Sequence, residues 1–150
     1  MIPVEIFIEI VSFLSRDDIS RLTLVNKRFN NVCSRILYSN VTIVEDYDHN
    51  RFYRSYKFFR TMSSSSSLPS LVSSLKIIWR YPEKVYIGFD SIIPIMRTSF
   101  RNMRNLKGLV LRMRISKKNF KKCFPENCHL KLERFICNFG TKDDISKLLR

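Results

Sequence analysis

The first fourteen residues form the most constraining stretch of the chain, because they are more apolar than a helix packed on one small core requires. Nine of the thirteen residues in IPVEIFIEIVSFL are hydrophobic. Ile6, Ile10 and Leu14 recur at four-residue steps with other apolar residues beside them, which predicts a helix over 3–14 with a wide apolar face. Pro3 suits the first helical turn, where its missing N–H costs nothing.

Two more helices are predicted directly after the first. Ser15 is placed to cap the second helix, with Asp17 and Asp18 in the first turn, where the helix dipole favours negative charge. This helix is expected to run to about Val25, and NKRFNNVCSRILY predicts a third short helix. Such a small three-helix unit covers only part of its apolar surface, so an exposed patch typical of a protein interface is expected.

A short strand and a mixed segment are predicted next. NVTIV at 40–44 alternates and is rich in β-branched residues, which favours a strand. The five serines at 63–67 predict a flexible loop. We assign residues 1–40 to the helical unit and 41–69 to a connecting segment.

The stretch RFYRSYKFFR interleaves aromatic and basic residues. This pattern can serve nucleic-acid binding. Its helical periodicity favours a different interpretation, a helix in which Phe52, Tyr56 and Phe59 are buried while Arg54 and Lys57 are solvated.

An apolar spacing repeats in the second half of the chain. VSSLKI, LKGLVL and LERFIC all follow the pattern L-x-x-L-x-L. They resemble leucine-rich repeats, in which strands and helices alternate along a solenoid, and helix-like segments follow the first copy, at 89–102, and the third, in TKDDISKLL. The asparagine that often follows the third leucine is absent, and another small α/β layer fits the same pattern. The repeated positions are Val72, Leu75, Ile77, Leu106, Leu109, Leu111, Leu132, Phe135 and Cys137.

The chain ends inside a segment with the pattern of a repeat helix. Ile145, Leu148 and Leu149 would face a neighbour that a solenoid needs as a cap. Residues 70–150 are therefore expected to form an incomplete solenoid, or to pack their end on a partner. The expected fold class is mixed, with an all-α three-helix unit followed by an α/β leucine-rich-repeat-like region.

Charge is distributed unevenly along the chain, whose net charge is +14. Residues 1–43 hold five basic and four acidic side chains, which leaves twenty-two basic and nine acidic for 44–150. The second part is thus expected to attract acidic proteins, nucleic acid or anionic surfaces. No export signal and no transmembrane helix is predicted, so the cytoplasm or the nucleus is expected.

The sequence offers little material for catalysis or metal binding. In CFPENCH, Cys123, Cys128 and His129 come close together and Cys137 follows, but the second pair lacks the usual zinc spacing. Reduced thiols are favoured over zinc, and an adjacent His129 does not establish a catalytic cysteine. We predict no catalytic residue, no metal and no cofactor.

The first 32 residues closely resemble the F-box. The shared features are an aliphatic residue followed by proline, a glutamate two positions later, an apolar helix ending in Phe-Leu, an aspartate before an aliphatic residue, and a final Val-Asn-Lys-Arg-Phe. In this sequence they are Ile2, Pro3, Glu5, Ile6, Phe7, Ile10, Phe13, Leu14, Asp18, Ile19, Leu22, Val25, Asn26, Lys27, Arg28 and Phe29.

The resemblance implies that the helices dock on a Skp-type adaptor, which links them to a cullin-RING ubiquitin ligase. The part that follows would then hold a protein substrate, and the chain would be a receptor without chemistry of its own. The implied adaptor-binding residues are Ile2, Pro3, Ile6, Phe7, Ile10, Leu14, Ile19, Leu22, Val25 and Phe29, with a third to a half expected to serve internal packing.

A basic face is the candidate for substrate binding. Guanidinium groups pair bidentately with carboxylate and phosphate, so an acidic or phosphorylated target is one hypothesis, and a solvated face is the favoured interpretation. Two other functions stay open: nucleic-acid binding, and an F-box protein acting outside a ligase. The basic residues are Arg97, Arg101, Arg104, Arg112 and Arg114, with lysines at 117, 118, 121 and 122.

Overall fold

The computed structural model describes residues 3–45, 53–80, 89–115, 117–124 and 130–139. Three helices come first: α1 (Val4–Ser12), α2 (Arg16–Leu22) and α3 (Lys27–Ser39). An α/β layer follows, with its elements in the order β1 (Asn40–Glu45), α4 (Tyr53–Ser64), a 3₁₀ turn (Leu68–Leu71), β2 (Ser74–Trp79), α5 (Phe89–Asn102), β3 (Gly108–Ile115), α6 (Lys117–Cys123) and β4 (Arg134–Phe139).

The four strands form one parallel sheet in chain order β1-β2-β3-β4. Leu75, Leu109 and Phe135, which are equivalent in the repeated pattern, are partners across the sheet. A parallel connection needs a crossover, and each of the three carries a helix. The strands predicted at the three repeats and the helix predicted over 89–102 are confirmed. The helix predicted in TKDDISKLL, and the end of the chain, lie outside the described residues.

Backbone hydrogen bonds repeat just before each strand. The Ser73 N–H donates to the Ser39 carbonyl at 2.9 Å, the Lys107 N–H to the Ser73 carbonyl at 2.8 Å, and the Glu133 N–H to the Lys107 carbonyl at 2.8 Å. These four residues therefore occupy equivalent places in successive strand-helix units. The first of them is the last residue of α3, so the helical unit runs directly into the sheet.

This equivalence reveals a copy of the apolar pattern that sequence analysis missed. Tyr38, Val41 and Ile43 have the L-x-x-L-x-L spacing, and the last two pair in register with Leu75 and Ile77. Val41 and Ile43 are buried, and Tyr38 packs on the same core. Helix α4 and all of strand β1 except Asn40 thus come from the segment 41–69, which we assigned as connecting.

All three helices of the layer pack on one face of the sheet. Phe59 of α4 and Phe100 of α5 have ring centroids 5.5 Å apart, and Phe100 stacks on Phe124 at 4.6 Å. The Ser99 hydroxyl donates to the Phe59 carbonyl at 2.9 Å, which ties α4 to α5. The nineteen buried residues of this core include Met62, Leu75, Ile77, Ile92, Met96, Met103, Leu106, Leu109 and Leu111.

The helix between β1 and β2 differs in part from its prediction. Phe59 is buried as expected, but Tyr56 is 41% exposed and Phe52 lies outside the described residues. The first two of the five serines belong to α4, where the hydroxyls of Ser63 and Ser64 donate to the Arg60 carbonyl at 2.9 Å. Their hydroxyls satisfy backbone acceptors at the helix end, which is why the predicted loop begins later.

A buried carboxylate supports the start of the same helix. Glu45, at the end of β1, is only 3% exposed and accepts a hydrogen bond from the Ser55 N–H in the first turn of α4. Negative charge is stabilised at a helix N-terminus by the aligned peptide dipoles. Ser55 in turn accepts a hydrogen bond from Trp79 Nε1 at 3.3 Å, so β1, α4 and β2 are joined at one point.

Candidate functional site

The three N-terminal helices share a core of five buried residues, Phe7, Val11, Ile19, Val32 and Cys33. Phe29 of α3 packs against Phe7 of α1 with ring centroids 4.6 Å apart. Of the predicted adaptor-binding residues, Phe7 and Ile19 are buried, and Leu22 and Phe29 are half-buried against this core. These four side chains pack inside the helical unit and hold its helices together.

Side-chain caps define the helix boundaries of this unit. The Ser15 hydroxyl accepts the Asp18 N–H at 3.2 Å and donates to the Asp18 carboxylate at 2.7 Å. Asn26 Oδ1 accepts the Phe29 N–H at 3.0 Å at the start of α3. The second helix was predicted to reach about Val25, but it ends at Leu22 because the chain turns into the Asn26 cap.

Polar contacts fix α2 and the turn after it against α3. Arg16 Nη2 donates to the Leu37 carbonyl at 2.7 Å. Asn30 Nδ2 donates to the Thr23 carbonyl at 3.0 Å, which fixes the turn between α2 and α3. Leu24 and Val25 lie in this turn, so their position is set by a hydrogen bond as well as by the core.

The exposed side of α1 carries large apolar side chains. Ile6, Ile10 and Phe13 are 48%, 49% and 82% exposed, and Leu14 is 37% exposed. Ile6 and Ile10 lie four residues apart on one side of α1, and Phe13 and Leu14 follow directly after its last residue, Ser12. Burying one such side chain fully contributes about 1.5–3 kcal/mol.

The turn between α2 and α3 adds two more exposed apolar side chains, Leu24 at 84% and Val25 at 61%. We call the six residues Ile6, Ile10, Phe13, Leu14, Leu24 and Val25 the exposed apolar set. Exposed apolar side chains of this size and number mark a site that another protein covers.

The sequence-predicted site residues divide into two groups in the structure. Pro3, Ile6, Ile10, Leu14 and Val25 are exposed, whereas the other described ones are the four core residues named above. Ile2 lies outside the described residues. Sequence analysis left Phe13 and Leu24 out of the predicted site, although Phe13 directly follows α1 and Leu24 lies in the turn between α2 and α3. Val4 and Ile8 are exposed as well, on another side of α1. A helical wheel places Phe13 on the side of α1 away from the buried Phe7 and Val11, so helical periodicity could have identified it as exposed. Helical periodicity does not apply to Leu24, because this residue lies in a turn.

The predicted basic face does not lie on a single surface. Arg97 and Arg101 are exposed on α5, on the opposite side from the buried Met96 and Phe100. Arg112 lies on β3 between the buried Leu111 and Met113, so it points away from the helices. Sheet and helix layer therefore separate these arginines. Arg104 is exposed after α5, and the side chain of Arg114 lies outside the described residues.

The described cysteines are buried thiols. Burial raises the pKa of Cys123 to about 12, with a smaller opposing effect of Lys122, and burial also raises the pKa of Cys137 to about 12. Burial raises the pKa of Cys33 as well. The described residues contain no group of three His, Cys, Asp or Glu side chains able to hold a metal ion. Cys128 and His129, from the possible zinc ligands, and His49 lie outside them.

Residues 1–44 match the model of the F-box-like family. The match covers the three helices and most of β1, including the exposed apolar set. It identifies the N-terminal unit as an F-box-like domain, which indicates a role in binding a Skp-type adaptor of SCF ubiquitin ligases. No curated protein matches the chain. Within the described ranges, no helix is long and apolar enough to cross a membrane.

Proposed function

We propose that this chain is a substrate-recognition subunit of a Skp-cullin-F-box ubiquitin ligase. Its F-box-like helices bind the Skp-type adaptor, and the α/β region holds a target protein for ubiquitination. The chain acts as a receptor and contributes no catalytic residue. The observation that carries the proposal is the exposed apolar set, which lies inside the region that matches the F-box-like family.

We further propose that the α/β region is leucine-rich-repeat-like. Support comes from the four parallel strands in chain order, the register of the apolar pattern, and the backbone hydrogen bonds that repeat before each strand. The unequal repeat lengths have a simple structural basis, since α5 has 14 residues and α6 has 7. A cytoplasmic or nuclear location follows from the proposed ligase role.

Adaptor binding is tested by co-expression of the full chain with a Skp-type adaptor, followed by size-exclusion chromatography. Wild type is expected to elute as a stoichiometric complex, and Ile10→Asp to lose it, because a charge at a buried contact is left without a partner. Ile8→Asp is the matched control: Ile8 is 45% exposed, against 49% for Ile10, and lies on another side of α1.

The control variant is expected to keep the complex, and circular dichroism is expected to show that both variants remain folded. Absence of a complex with folded wild-type chain would contradict the proposal. Ubiquitination in the presence of the complete cullin-RING ligase then separates a ligase receptor from an F-box protein that acts outside a ligase.

Nucleic-acid binding is the competing function, and one arrangement favours it. The hydrogen bond between Ser99 and Phe59 aligns α5 with α4 along the helix axes. Lys57 and Arg97 each precede these residues by two positions, so they occupy similar positions along the two helices, and both are exposed. A binding constant for an oligonucleotide that falls steeply with salt would support this function. Adaptor binding through apolar side chains is expected to depend far less on salt.

A further inference from the structure

The face of the sheet turned away from the helices has a composition of its own. Alternate residues of each strand point to opposite faces, and the other set fills the core. Within the described part of the chain, no helix packs on the second face. We call it the open sheet face, and its exposed or half-buried members are Asn40, Thr42, Val44, Ser74, Lys76, Ile78, Gly108, Val110, Arg112, Arg134 and Ile136.

The strand register places a valine at the centre of this face. Val110 has Lys76 as its partner on β2 and Ile136 as its partner on β4. Arg112 is two residues further along the same strand and is the partner of Ile78. Neighbouring strands lie about 4.8 Å apart and alternate residues roughly 6.6 Å apart, so these side chains form one continuous patch.

A third cation borders the patch at the other end. Arg134 is the partner of Gly108, which precedes Val110 by two residues on β3. Arg134 is therefore a diagonal neighbour of Val110 on the same face of the sheet. Lys76, Arg112 and Arg134 thus stand around a half-buried apolar centre, on three different strands.

Among the described residues of the open sheet face, all charged side chains are cations. Its three described cations have no acidic neighbour on the same face, and none of them is paired with a carboxylate in the described structure. Glu133, next to Arg134 in sequence, precedes β4 and pairs with Lys107 at 3.0 Å. A ligand that supplies carboxylates would therefore meet three cations for which the described residues provide no carboxylate partner.

We infer that the open sheet face binds an extended, carboxylate-rich segment of the target protein, in which an apolar side chain lies between acidic ones. This inference rests on the proposed receptor function. The apolar side chain packs on Val110, Ile78 and Ile136, and the carboxylates pair with the surrounding cations. An extended segment fits because its alternate side chains lie roughly 6.6 Å apart, and the register places Arg134, Lys76 and Arg112 at successive levels one such step apart along the strand direction.

The exposed arginines of α5 lack this combination. Their neighbours on the outer side of the helix are Pro94 and Thr98, and the described large apolar side chains of α5 pack in or against the core. Arg97 and Arg101 therefore serve as matched controls, because reversing their charge changes the net charge of the protein by the same amount without touching the open sheet face.

The probe is a fluorescein-labelled peptide in which Glu-Leu-Glu units recur between Gly and Ser residues, and its binding to the full chain is measured by fluorescence anisotropy. Three companion peptides are measured alongside it. The first has glutamine in place of glutamate, and the second has serine in place of leucine. The third has phosphoserine in place of glutamate and also serine in place of leucine. The parent peptide is expected to bind best, and more weakly as salt rises.

Arg112→Glu is expected to weaken binding of the parent peptide by about tenfold or more, since attraction becomes repulsion. Lys76→Glu and Arg134→Glu are expected to act in the same direction. Arg97→Glu and Arg101→Glu are expected to change binding less than about twofold. Arg112→Gln, which removes the charge without reversing it, gives an intermediate loss and guards against misfolding of the reversal variant.

Several results would overturn the inference: no binding of the parent peptide, equal binding of the glutamine peptide, binding of the phosphoserine peptide alone, or equal losses in the α5 variants. Adaptor binding is measured on the same preparations by chromatography. A wild-type chain that binds the parent peptide but no adaptor would count against the proposed ligase role alone. A wild-type chain that binds the adaptor but not the parent peptide would count against the proposed role of the open sheet face alone.

Discussion

The two halves of the molecule use apolar residues in opposite ways. The helices α1 to α3 bury five residues in their core, and the α/β layer buries nineteen. Yet eight of the ten large hydrophobic side chains exposed in the described structure lie between residues 4 and 25. A small unit has too little interior for its apolar side chains, so the excess is left for another protein to cover.

The α/β layer, in contrast, keeps most of its large apolar side chains inside. Sheet and helices provide two packed layers, and the repeated pattern supplies each with side chains at matching positions. Arg97 and Arg101 on its helices, like Arg112 on its sheet, are exposed. The comparison teaches that the first part exposes large apolar side chains, whereas the second buries most of them and exposes charged ones.

The largest expected effect tests whether apolar side chains contribute more to stability in the α/β layer than in the helical unit. Phe100→Ala removes a fully buried ring that contacts Phe59 and Phe124, so it should lower the free energy of unfolding by about 3–5 kcal/mol. Phe13→Ala removes a ring that is 82% exposed and should change stability by less than about 0.5 kcal/mol. Urea unfolding of the free chain, followed by circular dichroism, measures both.

In adaptor binding, Phe13→Ala should have the larger effect and Phe100→Ala the smaller one, the opposite of their order in stability. Phe13→Ala is expected to weaken the complex, because the ring belongs to the exposed apolar set, while a folded Phe100→Ala protein keeps its affinity. Similar stability losses in the two variants would mean that the contrast between the halves is not one of burial.

A smaller effect concerns how the helical unit compensates for its small core. Asn26→Ala removes the acceptor for the Phe29 N–H at the start of α3 and should cost about 1 kcal/mol in free energy of unfolding. Asn26→Asp keeps an acceptor oxygen and is expected to remain close to wild type. Thermal unfolding of the three proteins gives the comparison, and equal losses in both variants would show that the cap contributes nothing.

Sequence patterns predicted the elements of both halves better than their exposed surfaces. Periodicity located α1, α5 and the strands of the three recognised repeats, because buried positions recur at fixed intervals. It missed the copy that begins at Tyr38, since that residue belongs to the last turn of a helix and only Val41 and Ile43 lie on a strand. Local pattern does not reveal an element that serves two units at once.

The candidate site was harder to predict than the fold for a physical reason. Phe7 and Ile10 are both large apolar residues of one helix, but one is 9% and the other 49% exposed. Only the packing of α3 against α1 decides between them. Likewise, Arg97 and Arg112 both looked part of one basic face, and they were separated only when the strand register was known.

The smallest expected effect is the pH dependence that one buried thiol contributes in the core of the α/β layer. Because burial raises the pKa of Cys123 to about 12 from the ordinary 9.0, the folded protein holds this proton more tightly than the unfolded chain. The stabilisation is complete below about pH 9 and is lost as pH rises through the interval from about 9 to about 12.

Between about pH 7.5 and pH 9, the free energy of unfolding should therefore fall by a few tenths of a kcal/mol from this thiol. Urea unfolding at a series of pH values measures the slope, and Cys123→Ala should make it shallower whatever its effect on stability at neutral pH. Ser34, a buried hydroxyl in the helical half, offers a matched control, since Ser34→Ala removes no group that titrates in this range. Parallel slopes for wild type and Cys123→Ala would show that the thiol reaches water in the folded state, and that the core of the layer is less closed than its packing indicates.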